Sequence, residues 1–224
     1  VASKGLLPPP RDLTLGVYKF GHVISGELPT DKDFYRIIKD GLKGTAMLPW
    51  DLTQEQLYGV TQYLKTFAME TWTDKESSIG ETVVLVNDPW SNNKAEGIAR
   101  GKEVYHIEAE CQSCHRAYAT PQELNTMNQK INGEDYDSSD PELYQVKLQG
   151  TEYDYMAIPP DFTWHPLRSI TNFKDLYLRI ASGVGGTTMA AWIEVLEPSD
   201  VWAVTHYVNS LIELKETKNR DKLM

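Results

Sequence analysis

Two cysteines and a histidine stand close enough to act together, in the run Cys111-Gln112-Ser113-Cys114-His115. Two thiols at this spacing can add across the two vinyl groups of a porphyrin. The histidine that follows then lies under the iron and offers a nitrogen as proximal ligand. C-x-x-C-H marks covalent attachment of haem c. A redox dithiol and half of a zinc site are the other chemistries open to such a pair. A redox dithiol has no need of a histidine at that place. Zinc would have to draw its remaining ligands from His22, His106, His165 or His206, which are scattered, because the chain has no third cysteine.

An iron held by His115 needs a second axial ligand or an open position. Met189 is the candidate, in Gly185-Gly186-Thr187-Thr188-Met189-Ala190-Ala191-Trp192. A methionine in a glycine-rich turn is not a typical core residue, since core methionines recur on a periodic apolar face. The glycines let backbone approach a flat macrocycle closely. A thioether opposite an imidazole raises the reduction potential and suits electron transfer.

The Met189 segment occurs twice. Tyr35, Gly41, Gly44, Thr45, Met47 and Trp50 match Tyr177, Gly183, Gly186, Thr187, Met189 and Trp192 at one constant offset. The likeness extends in both directions. Pro9-Pro10-Arg11-Asp12-Leu13-Thr14 echoes Pro159-Pro160-Asp161-Phe162-Thr163, and Val60-Thr61-Gln62-Tyr63-Leu64 echoes Val204-Thr205-His206-Tyr207-Val208.

Helices must carry these groups. Thr30 with Asp33 predicts one helix start, with Phe34, Ile37 and Ile38 on its apolar face. Thr53 with Gln56 opens another, with Leu57, Val60, Leu64 and Phe67 expected inward. Asn172 with Asp175 opens a third, containing Leu176, Arg179 and Ile180. Pro198 suits the first turn of the last helix, whose stripe is Val201, Val204, Val208 and Leu211. A helix through about 101–115 is expected to deliver the two cysteines and His115.

A helix, C-x-x-C-H, a proline-rich loop, a helix, Gly-Thr-x-Met and a terminal helix with a tyrosine together resemble class I cytochrome c. The tandem Gly-Thr-x-Met-x-x-Trp halves resemble the dihaem cytochromes c of bacterial respiratory chains. The resemblance covers 99–212 well and 1–68 in part. It implies an all-α fold of tandem class I cytochrome c-like domains, the N-terminal one incomplete. Residues 1–68 would be the partial domain, 69–98 a connecting strap, and 99–224 the domain with C-x-x-C-H and its methionine. It further implies Cys111 and Cys114 as thioether sites and His115 and Met189 as axial ligands. Pro160, Trp192 and Tyr207 would line the haem crevice, and Arg168 would pair with a propionate. Two departures stand out: Arg116 follows His115 where the family has glycine, and Gly101 lies further ahead of Cys111 than usual. Residues 119–157, rich in Asp and Glu, read as a long solvated insertion, with an acidic docking surface as the sharper alternative.

The first half has Met47 but no C-x-x-C-H ahead of it. Either an N-terminal segment carrying a second haem is missing from the sequence shown, with Met47 as that iron's ligand, or the first domain is haem-free and covered by a partner. A methionine retained in a Gly-Thr-x-Met turn favours the former. The strap begins polar at Thr73-Asp74-Lys75-Glu76-Ser77-Ser78 and continues as Thr82-Val83-Val84-Leu85-Val86, which predicts a short strand or an extended strap.

The chain has 224 residues and a formal charge of −10. That charge disfavours nucleic acid and favours redox partners with a basic docking surface. No run approaches the roughly 20 apolar residues of a membrane span. Val1-Ala2-Ser3-Lys4-Gly5 has no apolar centre, so it is not a signal peptide, which a mature chain would have lost. The reading is therefore an electron-transfer cytochrome, a carrier or a subunit of a membrane-associated respiratory complex, in the periplasm or an equivalent compartment. A dihaem peroxidase-like enzyme, with His106, Glu108 and Glu110 as candidate acid–base groups, is the alternative. A mainly structural haem-bearing subunit is the third.

Overall fold

The structure is a computed structural model and describes residues 5–6, 8–74, 78–215, 217–218 and 220. Residues 1–4, the three strap residues 75–77 and most of the C-terminal tail lie outside the described residues.

The fold is all-α, with no strand among the described residues. Its helices are α1 (Asp31–Asp40), α2 (Gln54–Lys65), α3 (Met69–Thr73), α4 (Lys94–Glu103), α5 (Pro121–Asn132), α6 (Phe173–Ser182) and α7 (Pro198–Glu213). The chain divides into two compact units: 1–85, 150–155 and 167–194 form one, and 86–149, 156–166 and 195–224 the other. This division cuts across the expected 1–68, 69–98 and 99–224, because 167–194 cluster with the first 85 residues.

In the first unit that clustering runs through backbone groups. The Arg179 guanidinium donates to the carbonyls of Gly21 (3.2 Å) and Gly183 (2.9 Å). Ser25 N donates to Ser182 O, and Lys43 N to Arg168 O. α1 starts as expected, with the Asp33 carboxylate accepting from Thr30 N (3.0 Å) and Thr30 Oγ1 (2.9 Å). Phe34 and Ile38 of α1 bury against Leu57 of α2, with Tyr18, Met47, Leu64 and Trp72 around them. Val60 and Phe67 do not point inward as expected: they are exposed, with Tyr58 and Tyr63 beside them. The buried stripe of α2 is Leu57 and Thr61, four residues apart, so Val60 lies roughly 100° off that face. The described residues of the strap form no strand. Thr82 makes one isolated bridge to Val23, Val83 N donates to His22 O, and Val84 is exposed.

In the second unit α4 crosses α7 at Gly101. A Cβ at Gly101 would collide with the Ala203 carbonyl, so only glycine permits the approach. Arg100 of α4 clamps Asp200 of α7 with two bonds of 2.7 Å and also pairs with Glu108. Val201, Val204, Val208 and Leu211 are buried, as the stripe predicts. The expected single helix over 101–115 is instead three pieces. α4 ends at Glu103, a π-helical turn spans Val104–Glu108, and a 3₁₀ turn spans Cys111–Ser113. Val104, Tyr105, His106 and Ile107 of the π-turn are all buried. Residues 119–157 are more than a solvated loop. Thr120 and Glu123 cap α5 reciprocally, and Leu124, Ala117, Ala119 and Leu143 form a small core of their own.

Candidate haem-attachment site

The π-turn and a left-handed Glu110 (φ 46°) turn the chain into the 3₁₀ turn that carries Cys111. His115 N donates to Cys111 O (2.9 Å), so the two cysteines and His115 are one hydrogen-bonded loop. Gln112 anchors it, its amide nitrogen donating to His106 O (2.7 Å) and lying 2.6 Å from the Tyr136 hydroxyl. Tyr105 Oη donates to Arg116 O (2.9 Å), closing the other end.

His115 is held from the proline loop. Its Nδ1 lies 3.1 Å from the Pro160 carbonyl, an acceptor, so Nδ1 carries the proton and Nε2 keeps its lone pair. Burial lowers the His115 pKa, which keeps the ring neutral, the form that binds a metal. Phe162 stacks on the ring at 4.7 Å and 25°. Asp161 fixes the loop between them. One carboxylate oxygen accepts from Thr163 N (2.9 Å), Thr163 Oγ1 (2.7 Å) and Tyr118 Oη (3.0 Å), while the other pairs with Arg116 (3.3 Å). Arg116, at the position where the cytochrome c resemblance leads one to expect glycine, is thus part of the clamp on the proline loop. Burial pushes the Asp161 carboxyl up. The bonds from Thr163 and Tyr118 and the Arg116 charge pull harder, so its pKa lies below the usual carboxylate value.

Both cysteines are free thiols, and burial pushes Cys111 up to about 12. A redox dithiol works through a thiolate of depressed pKa, and Cys111 is the opposite. No group of three or more His, Cys, Asp or Glu among the described residues is placed to hold a metal ion by itself. The donor set that is present, two thiols and one imidazole with a free nitrogen, fits covalent haem c.

Two of the three acid–base candidates of the enzyme reading are engaged elsewhere, and the third, Glu110, is exposed. His106 is fully buried, with Nδ1 at 2.8 Å from Lys102 O and Nε2 accepting from Tyr118 N (3.1 Å). Glu108 is paired with Arg100.

The second unit therefore brings together Cys111, Cys114, His115 and Pro160. Tyr207 belongs to it as well, packed edge-on to Tyr105 (5.5 Å) and His106 (5.7 Å) in the α4/α7 crossing. Phe162, Asp161 and Tyr118 were not singled out in the sequence. The Asp-x-Thr spacing that makes the turn was the available signal.

The other expected residues, Met47, Arg168, Met189 and Trp192, belong to the first unit. Its two methionine loops are built alike. Gly41 and Gly183 end α1 and α6 with φ 65°, ψ −166° and φ 72°, ψ −161°. Leu42 N donates to Met47 O (2.9 Å), and Val184 N to Met189 O (3.0 Å). Thr45 Oγ1 donates to Leu42 O (2.8 Å) and accepts from Met47 N (3.0 Å). Thr187 Oγ1 does the same with Val184 O (2.7 Å) and Met189 N (3.2 Å). The repeat is thus a repeat of construction. The Pro-rich echo is also structural: Asp12 Oδ1 accepts from Thr14 N (2.9 Å) and Thr14 Oγ1 (2.6 Å), as Asp161 does from Thr163.

Helical fold and site define an all-α chain with a C-x-x-C-H loop. The chain is similar to a chain of the Kuenenia stuttgartiensis reducing HAO-like protein complex Kustc0457/Kustc0458. Identity is 32%, the match covers 95% of this chain and 86% of that one, and the TM-score is 0.71. At that identity and coverage, the chain belongs to the same family as that subunit. No protein-family model and no curated protein matches it.

Proposed function

We propose that this chain is an electron-transfer c-type cytochrome. Cys111 and Cys114 would tether one haem c, and His115 and Met189 would be its iron ligands. The observation that carries the reading is the Nδ1 bond from His115 to the Pro160 carbonyl, 3.1 Å, beside two unpaired thiols. That bond fixes both tautomer and ring direction, and so aims Nε2. The bound group supplies a one-electron iron couple. An imidazole and a thioether as its two protein ligands would favour electron transfer over catalysis. The Met189 assignment rests on its Gly-Thr-x-Met turn and its twin at Met47.

The chain serves, in this reading, as the electron-transfer subunit of a redox complex. Its family relation to a subunit of a two-component reducing complex supports this. A net charge of −10 suits a partner with a basic docking surface. Among the described residues no helix is long and apolar enough to cross a membrane. Covalent haem attachment, by resemblance to cytochromes c, supports the periplasm or an equivalent compartment as its location.

Intact mass under denaturing conditions should show one haem per Cys111/Cys114 pair. A reduced-minus-oxidised spectrum should show low-spin haem c, with a near-infrared methionine-to-iron band and no carbon monoxide adduct. A colourless protein overturns the proposal. A high-spin ferric signal, with a ferrous iron that takes carbon monoxide, overturns the Met189 ligand and restores the peroxidase-like reading.

A further inference from the structure

α2 and α7 follow one pattern. Leu57, Thr61 and Leu64 of α2 stand at a constant offset from Val201, Thr205 and Val208 of α7. The inner stripe behaves alike in both helices: Leu57, Thr61, Val201 and Thr205 are all fully buried. The neighbouring face does not. On α7 it holds Ala203 and Tyr207, and α4 lies across it, so that a Cβ on Gly101 would meet the Ala203 carbonyl and the Tyr207 Cβ. On α2 the same two places are Gly59 and Tyr63. Tyr207 is 4% exposed, whereas Tyr63 is 62% exposed. A Cβ added at Gly59 meets nothing within 4 Å. Tyr63 stands edge-on to Phe67 (5.0 Å, 69°), which is exposed too, and Tyr58 and Val60 extend the apolar surface.

A glycine inside a helix is less stable there than alanine, so one with open space above it needs a reason. Gly101 shows such a reason in the second unit, where it lets two helix backbones approach closely. A contiguous apolar face on a surface helix marks a place of association, unlike apolar residues scattered singly. Charge narrows the partner. Asp51 and Glu55 are exposed at the start of α2, the end at which Asp200 of α7 receives Arg100. α4, which covers the twin face, carries that arginine directly before its glycine. A chain of net charge −10 is repelled by a second copy and attracted by a basic surface.

We propose that the Gly59–Tyr63 face of α2 docks a helix of a partner subunit, which crosses with glycine or alanine over Gly59 and sets a basic residue against Asp51 and Glu55. The proposal rests on the subunit reading for the existence of a partner, and not on the haem at Cys111 and Cys114.

The test uses the full chain. Tyr63→p-benzoylphenylalanine, irradiated in an extract of the native cells, should cross-link to a helix of a different polypeptide, identified by peptide mass spectrometry. That polypeptide, purified, should bind the unaltered chain one to one in isothermal titration. Gly59→Leu should weaken binding about tenfold or more, and D51K/E55K should weaken it and remove its dependence on salt. Gly59→Leu should not lower the Tm of the free chain, because leucine finds open space and favours helix. A fall in that Tm, with a cross-link to the chain's own residues, means that its own polypeptide covers the face and overturns the proposal. A cross-link between two copies, a cross-linked segment without glycine or alanine at the crossing, no cross-link, or unchanged binding by Gly59→Leu overturns it as well. The cross-link stands even if Gly59→Leu fails to fold. Failure of the cytochrome reading would show separately, in the denatured mass and the haem spectrum.

Discussion

Asp161 separates two ways of holding the proline loop, because its two oxygens do different work. One accepts three neutral hydrogen bonds, from Thr163 N, Thr163 Oγ1 and Tyr118 Oη, and the other meets only Arg116. Asp161→Ala removes all four and leaves the Tyr118 hydroxyl and the Thr163 amide short of an acceptor. Bonds to a charged acceptor are worth about 1.5–3 kcal/mol each, and they overlap here, so we expect a loss of about 3 kcal/mol. Asp161→Asn keeps the three-bond oxygen and loses only the Arg116 charge, which should cost about 1 kcal/mol or less. For a chain of this size those losses correspond to roughly 6–12 °C and under about 4 °C in Tm. Thermal unfolding followed by far-ultraviolet circular dichroism measures both. The Ala variant should also loosen the Pro160 carbonyl from His115, seen as a shifted low-spin electron paramagnetic resonance signal that the Asn variant lacks. Should the Asn variant lose as much as the Ala variant, the ion pair holds the loop and the argument from the shared oxygen is wrong.

Stability should fall as pH drops from about 6.5. His106 is buried neutral with its pKa lowered to about 4, so the unfolded chain takes up its proton first. The loss approaches roughly 3 kcal/mol by pH 4, and His106→Gln, which can still donate to Lys102 O and accept from Tyr118 N, should flatten the slope in denaturant titrations. Asp161 adds to this below about pH 4, because its folded pKa is depressed and its stabilisation goes as the carboxylate protonates. Gly101→Ala should cost about 3 kcal/mol in urea unfolding, since the new methyl meets the Ala203 carbonyl. Met189→Ala should lower the reduction potential, abolish the near-infrared band and open the iron to carbon monoxide.

The caps were legible. Thr30/Asp33, Thr53/Gln56, Asn172/Asp175 and Pro198 each open a helix where their spacing says, because a cap is a local bond between residues three apart. The same signal stood at Thr120-Pro121-Gln122-Glu123, where α5 was overlooked in favour of the acidic composition of its surroundings. The π-turn left no mark, since one shifted hydrogen bond, Ala109 N to Val104 O, changes no residue type. The gathering of 167–194 with the first 85 residues was equally hidden. Its bonds run to carbonyls such as Gly21 O and to amides such as Lys43 N, which every residue has. At the site, the three motif residues were plain from spacing. That Pro160 acts through its carbonyl, and Phe162 through its ring, depended on where the loop returns.

The extra width at Val104–Glu108 has an evolutionary corollary. A turn that absorbs one residue beyond the helical count behaves as a slack link between the α4/α7 crossing and the thiol-bearing loop. A lineage could lose or gain a residue there and still keep Gly101 against Ala203 on one side and His115 beneath Pro160 on the other. The unusual distance from Gly101 to Cys111 then reads as tolerated drift in a tether, with both fixed ends untouched.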